Sequence, residues 1–232
     1  MTGSSALPRA VISRSALTAA AAAAVAAGGT IADLRRDAWG HGILSVAHVA
    51  LAAGAEAVLV DSSDEVDALG DEGITATADA EADIDSRILY GLPDADGQLS
   101  TAPVLRLVGR VLSTKRLLAG EAVSYGYTHR ATTDTTVALV SGGYAQGIVR
   151  ALGNQVHVAV DGEQRPIVGR VAMDVCVVDL GGRDVPVGAE VTYFGGSGSA
   201  APALARWAAV TGFTVAELVT VTGLHAEREW EA

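Results

Sequence analysis

Apolar and polar positions over the first ninety residues alternate between a helical period and short unbroken apolar runs. Residues 16–27 form an alanine-rich run with Ser15 before it and Gly28-Gly29 after it, the pattern of a helix with a capping hydroxyl and a glycine stop. Residues 30–35 read as a short strand, unusually polar because Asp33 and Arg35 fall inside it. Ile43 to Ala53 has helical character and ends at Gly54. "EAVLVD" (56–61) is a clean apolar strand, and Ser62 or Ser63 then caps a short acidic helix, "DEVDALGDEG". "SRILYG" (86–91) is a third apolar strand candidate. Strand and helix signals in alternation predict a parallel α/β unit.

A polar stretch with Gly, Pro and Asp, 92–102, interrupts this alternation and reads as a linker between a first segment, 1–91, and a second, 103–232. The second segment is dominated by Val-rich strand patterns: "VLRLVGRVLSTKRL", "TTVALVS", "QVHVAV", "QRPIVGRVAMDVCVVDL" and "EVTYFG". Asp161-Gly162 between two of these runs is a strong hairpin signal. Two short helices, "APALARWAAV" and "VAELVTVTG" after Thr214, close a compact β-rich domain.

Composition refines this picture only in places. Half of the 232 residues are apolar but only 4% are aromatic, so the core must be built from Ala, Val and Leu with few large anchors. The net charge of −11 leaves no basic patch of the kind nucleic acid attracts. It is ordinary for a soluble cytoplasmic protein. The single cysteine, Cys176, excludes an intrachain disulfide and lies in an apolar strand run, where a buried structural thiol is expected. "PRAVISRSALTAAAAAAVAAGG" has the outline of a signal peptide, with Arg9 and Arg14 before an apolar run. An ordinary helix is the favoured reading, since alanine inserts poorly into membranes and the run is shorter than the roughly 20 residues a span requires.

Taken singly, the residues with chemical potential have plain explanations. Tyr125 could be a surface strand tyrosine, Tyr144 a turn residue after two glycines, Met173 core filler and His41 a helix-start residue. Their order along the chain is more informative. "DAWGHG", "ILYG", "AGEAVSYG", "SGGYAQGIVRAL", "VDGEQRPIVGRVAMD" and "VPVGAEVTYFG" follow one another as in the alanine racemase family, which this chain closely resembles over 103–230 and in separate fragments before it.

The resemblance implies a (β/α)₈ barrel that holds pyridoxal 5′-phosphate (PLP), followed by a C-terminal β domain, with two chains pairing so that each C-terminal domain closes the other's site. It implies interconversion of L- and D-alanine, with the cofactor as electron sink and two acid/base groups on opposite faces. By resemblance Tyr125 is the catalytic tyrosine, Met173 and Tyr144 contact substrate, and Arg35, Trp39 and His41 fall in the cofactor-binding stretch. Arg35 stands where the family has the lysine that carries PLP, and Trp39 where it has tyrosine. A guanidinium stays protonated at any working pH and forms no aldimine. The chain's one lysine, Lys115, lies in the second segment. Ile84 occupies the place of the arginine that bonds the cofactor ring, with Arg87 three places away, and Ala216 that of the phosphate-binding tyrosine. A complete barrel needs at least about 200 residues, so the first segment is expected to be an incomplete, open remnant. Two kinds of function follow: a racemase-family protein impaired as this isolated chain, or a non-catalytic dimerisation module, pairing as a homodimer or with a complete racemase. A decayed, internally deleted gene product is the third possibility.

Overall fold

The structure, a computed structural model, describes residues 7–124 and 126–232. The first surprise is at the start. Arg9–Ser13 is a strand, β1, buried on one face at Ala10 and Ile12 and on the other at Val11. The Ser13 hydroxyl, not Ser15, then caps α1 (Arg14–Ala27) by accepting the Ala16 N–H at 3.3 Å. Gly28, at φ 119°, ends the helix. A strand–helix unit follows, β2 (Ile31–Asp33) with α2 (Arg35–Trp39) and α3 (Ile43–Ala52), then β3 (Ala57–Leu59), α4 (Ser63–Asp71) capped by Ser62, and β4 (Ala76–Thr77). β2, β3 and β4 pair in parallel, in that order, as a three-stranded sheet.

"SRILYG" is not the third strand. Ser86–Tyr90 is a helix, α5, capped by the Asp85 carboxylate on the Arg87 N–H at 2.8 Å and ended by Gly91 in the left-handed region. A short apolar run cannot distinguish strand from buried helix by periodicity, and here the capping aspartate decided it.

The open edge of β2 is covered by the segment preceding this helix. Asp83 Oδ1 accepts the N–H groups of both Thr30 and Ile31 at 2.7 Å, and the Ile31 carbonyl accepts Asp83 N and Ile84 N at 3.1 Å. Backbone groups that another strand would pair are thereby satisfied by a side chain and a turn, which blunts the edge against association.

The remaining strands form the large sheet and one separate pair. They are β5 (Leu105–Leu117), β6 (Ala122–Val123), β7 (His129–Arg130), β8 (Thr135–Ser141), β9 (His157–Val160), β10 (Glu163–Pro166), β11 (Val175–Asp179) and β12 (Glu190–Phe194). Helices α6 (Ala203–Thr211) and α7 (Val215–His225) precede β13 (Glu227–Glu231). The order β10-β9-β12-β5-β1-β13 forms one path, and β8 pairs the second half of β5 and carries β11 on its far side. β6 and β7 pair separately. Asp161 and Gly162, at φ 50° and 78°, make the predicted hairpin turn between β9 and β10.

β1 therefore sits between β5 and β13 in the sheet of the second half, and one apolar cluster runs from α1 through β5 to Trp207 of α6. An unbroken apolar run of only three residues, Val11 flanked by Ala10 and Ile12, was too short to stand out in sequence beside the alanine helix. Cys176 is buried on β11, where its thiol contacts the Tyr193 hydroxyl at 3.2 Å and burial pushes it up to about 12. Among the described residues no single helix is long and apolar enough to cross a membrane.

Candidate functional site

The C-terminal ends of parallel strands are where α/β units place their ligands. Here β2 and β3 end in Asp33 and just before Asp61, and both carboxylates are met by arginines. Arg35 leaves the end of β2 and folds back on Asp33, donating from Nε at 3.0 Å and Nη2 at 2.6 Å. This bidentate hydrogen bonding to Asp33 holds the guanidinium above its already high ordinary value, against partial burial. Asp61 accepts the Arg36 backbone N–H at 2.6 Å, with Arg36 Nε at 3.5 Å.

Beyond Arg35 the chain does something rare. Arg36, Asp37, Ala38 and Trp39 all lie near φ +54°, the first three with ψ near +50°, a left-handed turn of four residues none of which is glycine. Such a conformation costs each residue about 1–2 kcal/mol, so the surroundings must enforce it. Asp37 does much of this. Its Oδ1 accepts the Ile43 N–H at the start of α3 at 2.7 Å, and its Oδ2 pairs with Arg228 of β13. Gly40, at φ 80°, lies backbone to backbone against Gly223 of α7, so closely that a Cβ on Gly40 would be 2.7 Å from the Gly223 Cα. His41 is fully buried behind the turn, with Nδ1 at 3.0 Å from the Ala38 carbonyl and 3.1 Å from that of Trp39. Those acceptors require the proton on Nδ1, which leaves Nε2 bare and without a partner. Burial lowers the His41 pKa to about 4, so the ring is neutral.

Tyr90 of α5 completes the support. It is buried, its hydroxyl donates to the Asp33 carbonyl at 2.7 Å, and its ring stacks on Trp39 at 5.0 Å and tilts against His41 at 4.6 Å. The sequence reading missed this residue because it placed "ILYG" on a strand.

Trp39, Arg35 and Arg36 form one wall of a cleft of about 780 Å³. The opposite wall is α7, which presents Ala216, Val221 and Leu224, with Phe213 just before it; Tyr144, Val149 and Arg150 line the end. α7 starts with a capping box: Thr214 Oγ1 accepts the Glu217 N–H and Glu217 accepts the Thr214 N–H. Spacing of 217, 220, 221 and 224 places these side chains on one helix face, and Phe213, Val221 and Leu224 are exposed.

Of the sequence-identified residues, Arg35, Trp39 and Tyr144 thus meet in one cleft. His41 does not line it; it lies buried behind the turn that forms the wall. Met173 does not line it either. It is exposed on the ledge that carries Tyr144: the Tyr144 N–H donates to the Ala172 carbonyl and the Ala145 N–H to that of Met173, each at 2.9 Å. Gln146 locks this ledge, accepting the Gly143 N–H at 2.9 Å and donating to Asp174 at 3.1 Å. Tyr125 lies outside the described residues.

Covalent attachment of PLP does not fit these residues. Among the described residues no amine lines the cleft. Lys115 is exposed near the C-terminal end of β5, paired with Val137 of β8. Arg35 is a guanidinium clamped on a carboxylate, and Ala216 offers the cleft no polar group.

The family model described as "Alanine racemase, C-terminal domain" matches residues 104–230. Alanine racemase of Mycobacterium avium (strain 104) is 42% identical over 136 residues, 57% of this chain and 35% of that protein. The chain thus spans little more than a third of that relative's length in the match. Alanine racemase from the D-cycloserine-producing Streptomyces lavendulae superposes with a TM-score of 0.84 at 18% identity, covering 99% of this chain and 98% of that chain. That from Bartonella henselae, solved with covalently bound pyridoxal phosphate, gives 0.76 at 17% identity over 97% and 99%. The last two establish a shared fold.

Proposed function

This chain belongs to the alanine racemase family through its C-terminal domain, and from that premise we propose that it does not perform the family's PLP-dependent racemisation by itself. The observation that carries the reading is the Arg35–Asp33 pair at the position of the cofactor lysine. A base that also tethers the cofactor cannot be lost by degrees, because groups acting as a unit fail as a unit. The three-stranded sheet, read as the remnant of a (β/α)₈ barrel whose middle units are absent, supports the same conclusion. Its β2 edge is closed by Asp83 rather than by a further strand.

The test is direct. Purified protein incubated with PLP should develop no aldimine absorbance, gain no mass after borohydride reduction and form no D-alanine from L-alanine. An adduct mapped to Lys115 together with turnover would end the reading.

A second reading concerns what the chain retains. The ledge bearing Tyr144 and Met173 is intact and both side chains are exposed, as expected of a surface offered to another subunit. On this reading the protein works in the cytoplasm as a dimer, with itself or with a complete racemase, to which it lends Tyr125. Mixing it with a racemase whose corresponding tyrosine is removed should then yield mixed dimers and recovered activity. Failure to associate would dismiss this reading and leave the first untouched.

A further inference from the structure

We infer that a smaller pocket, at the start of α6, is a site for a short-chain carboxylate. Its volume is about 200 Å³, and it shares no lining residue with the cleft beside the left-handed turn. One wall comes from the β9–β10 hairpin, the other from the first turn of α6. Two independent observations point to an anion there. First, α6 begins uncapped. Pro202 precedes it without a side-chain acceptor and no acidic residue stands in its first turn. Among the described residues the Ala203 and Leu204 N–H groups have no acceptor. Such donors, at the positive end of a helix dipole, are what anions satisfy. Second, Trp207 is fully buried, held at 82° to the Phe194 ring with 5.3 Å between centroids, yet its Nε1 has no hydrogen-bond partner. Buried polar groups are nearly always paired, so this orphan needs an explanation. Side chains on a helix lean toward its N-terminus. Those of Arg206 and Trp207, one turn in, are therefore carried back toward the free N–H groups, and both line the pocket.

The charges agree. Arg206 donates from Nε to the Gln155 carbonyl at 3.4 Å, and among the described residues its two terminal nitrogens have no partner. His157 adds an imidazole. Among the described residues that line the pocket none is acidic. Of the acids on the neighbouring hairpin, Glu163 is engaged by Arg165 and Arg183, each at 2.6 Å, and Asp161 at the tip lines a different pocket. The lining is therefore cationic, although the chain as a whole carries −11. A guanidinium fork matches the two oxygens of a carboxylate. Size narrows the ligand further, because a pocket below the roughly 300 Å³ of ordinary small-molecule sites holds only a few heavy atoms. Val156, Pro202 and the indole of Trp207 give a short alkyl tail apolar walls, which a fully hydrated inorganic ion would not use.

The probe is butyrate. Controls are 1-butanol and butylammonium, which keep the tail and change the charge, and inorganic phosphate, an anion without a tail. Amide and indole NMR shifts of the labelled full chain are read at constant ionic strength. Butyrate should produce saturable shifts at the Trp207 indole N–H and at the Ala203 and Leu204 amides, and each control should bind at least tenfold more weakly. Arg206→Gln, at an exposed side chain, should weaken butyrate about tenfold. Ala203→Asp sets a carboxylate in the first turn of α6, where it favours the helix, so it should keep the fold and weaken butyrate at least tenfold. No saturable shift, shifts that spare the Trp207 indole, a control that binds as tightly as butyrate, or indifference to both substitutions would overturn the inference.

Discussion

The close approach of Gly40 to Gly223 makes a quantitative claim about what holds the left-handed turn. Gly223 lies in the last turns of α7 with helical backbone, so replacing it with alanine should by propensity alone stabilise the helix by about 0.5–1 kcal/mol. The new Cβ would, however, stand 2.9 Å from the Gly40 carbonyl oxygen, 3.0 Å from its Cα and 3.1 Å from its carbonyl carbon. All three are backbone atoms of a segment already fixed by Asp37, His41 and Tyr90, and none can rotate aside. Overpacking of this kind costs about 1–3 kcal/mol, so Gly223→Ala should lose about 1–2 kcal/mol net. Gly70 of α4 supplies the control, since a Cβ there meets nothing within 4 Å. Gly70→Ala should gain about 0.5–1 kcal/mol. In thermal unfolding, about 2–4 °C per kcal/mol for a chain of this size, the two substitutions should move the midpoint in opposite directions. If Gly223→Ala behaved like Gly70→Ala, the turn would not be held by α7, and the cleft wall would be free to move.

Four other outcomes follow from the same geometry. Folded His41 titrates near 4 and the unfolded imidazole near 6.5, so the unfolded state binds more protons between those values. Stability should therefore fall as pH drops through that window, by up to about 3 kcal/mol, and urea titrations of His41→Asn should show a flatter dependence. Asp83→Asn replaces a carboxylate, held below its usual range chiefly by the Ile31 and Thr30 N–H groups, with an amide; exchange of those two amide protons should accelerate while the large sheet is unaffected. Arg35→Lys should not yield D-alanine formation, because the Asp33 carboxylate beside it keeps an ammonium protonated and Ala216 remains without a hydroxyl. Tyr193→Phe removes a buried hydroxyl donated to the Ser141 carbonyl at 2.8 Å and should cost about 1–2 kcal/mol in denaturant titration.

The sequence by itself determined the local elements whose cause is local. Alanine propensity made α1, Ser62 capped α4, Asp161-Gly162 turned the β9–β10 hairpin, and valine alternation laid down the large sheet. It also put an arginine at residue 35, an identity that needs no coordinates. Motif order over 104–230 was enough to identify the family.

What depended on contacts distant in sequence was decided by the tertiary structure. β1 is a strand because β5 and β13, about a hundred and two hundred residues away, leave a gap that fits it. No window of sequence contains a left-handed turn of four non-glycine residues; it exists because Arg228, Gly223 and Tyr90 converge on it from three other elements. The same convergence buried His41, which the motif alone placed with the cofactor, and turned Arg35 toward Asp33. Propensities act over a few residues, whereas strain is sustained only where packing from far along the chain outweighs it, and in this protein that is where the cleft was built.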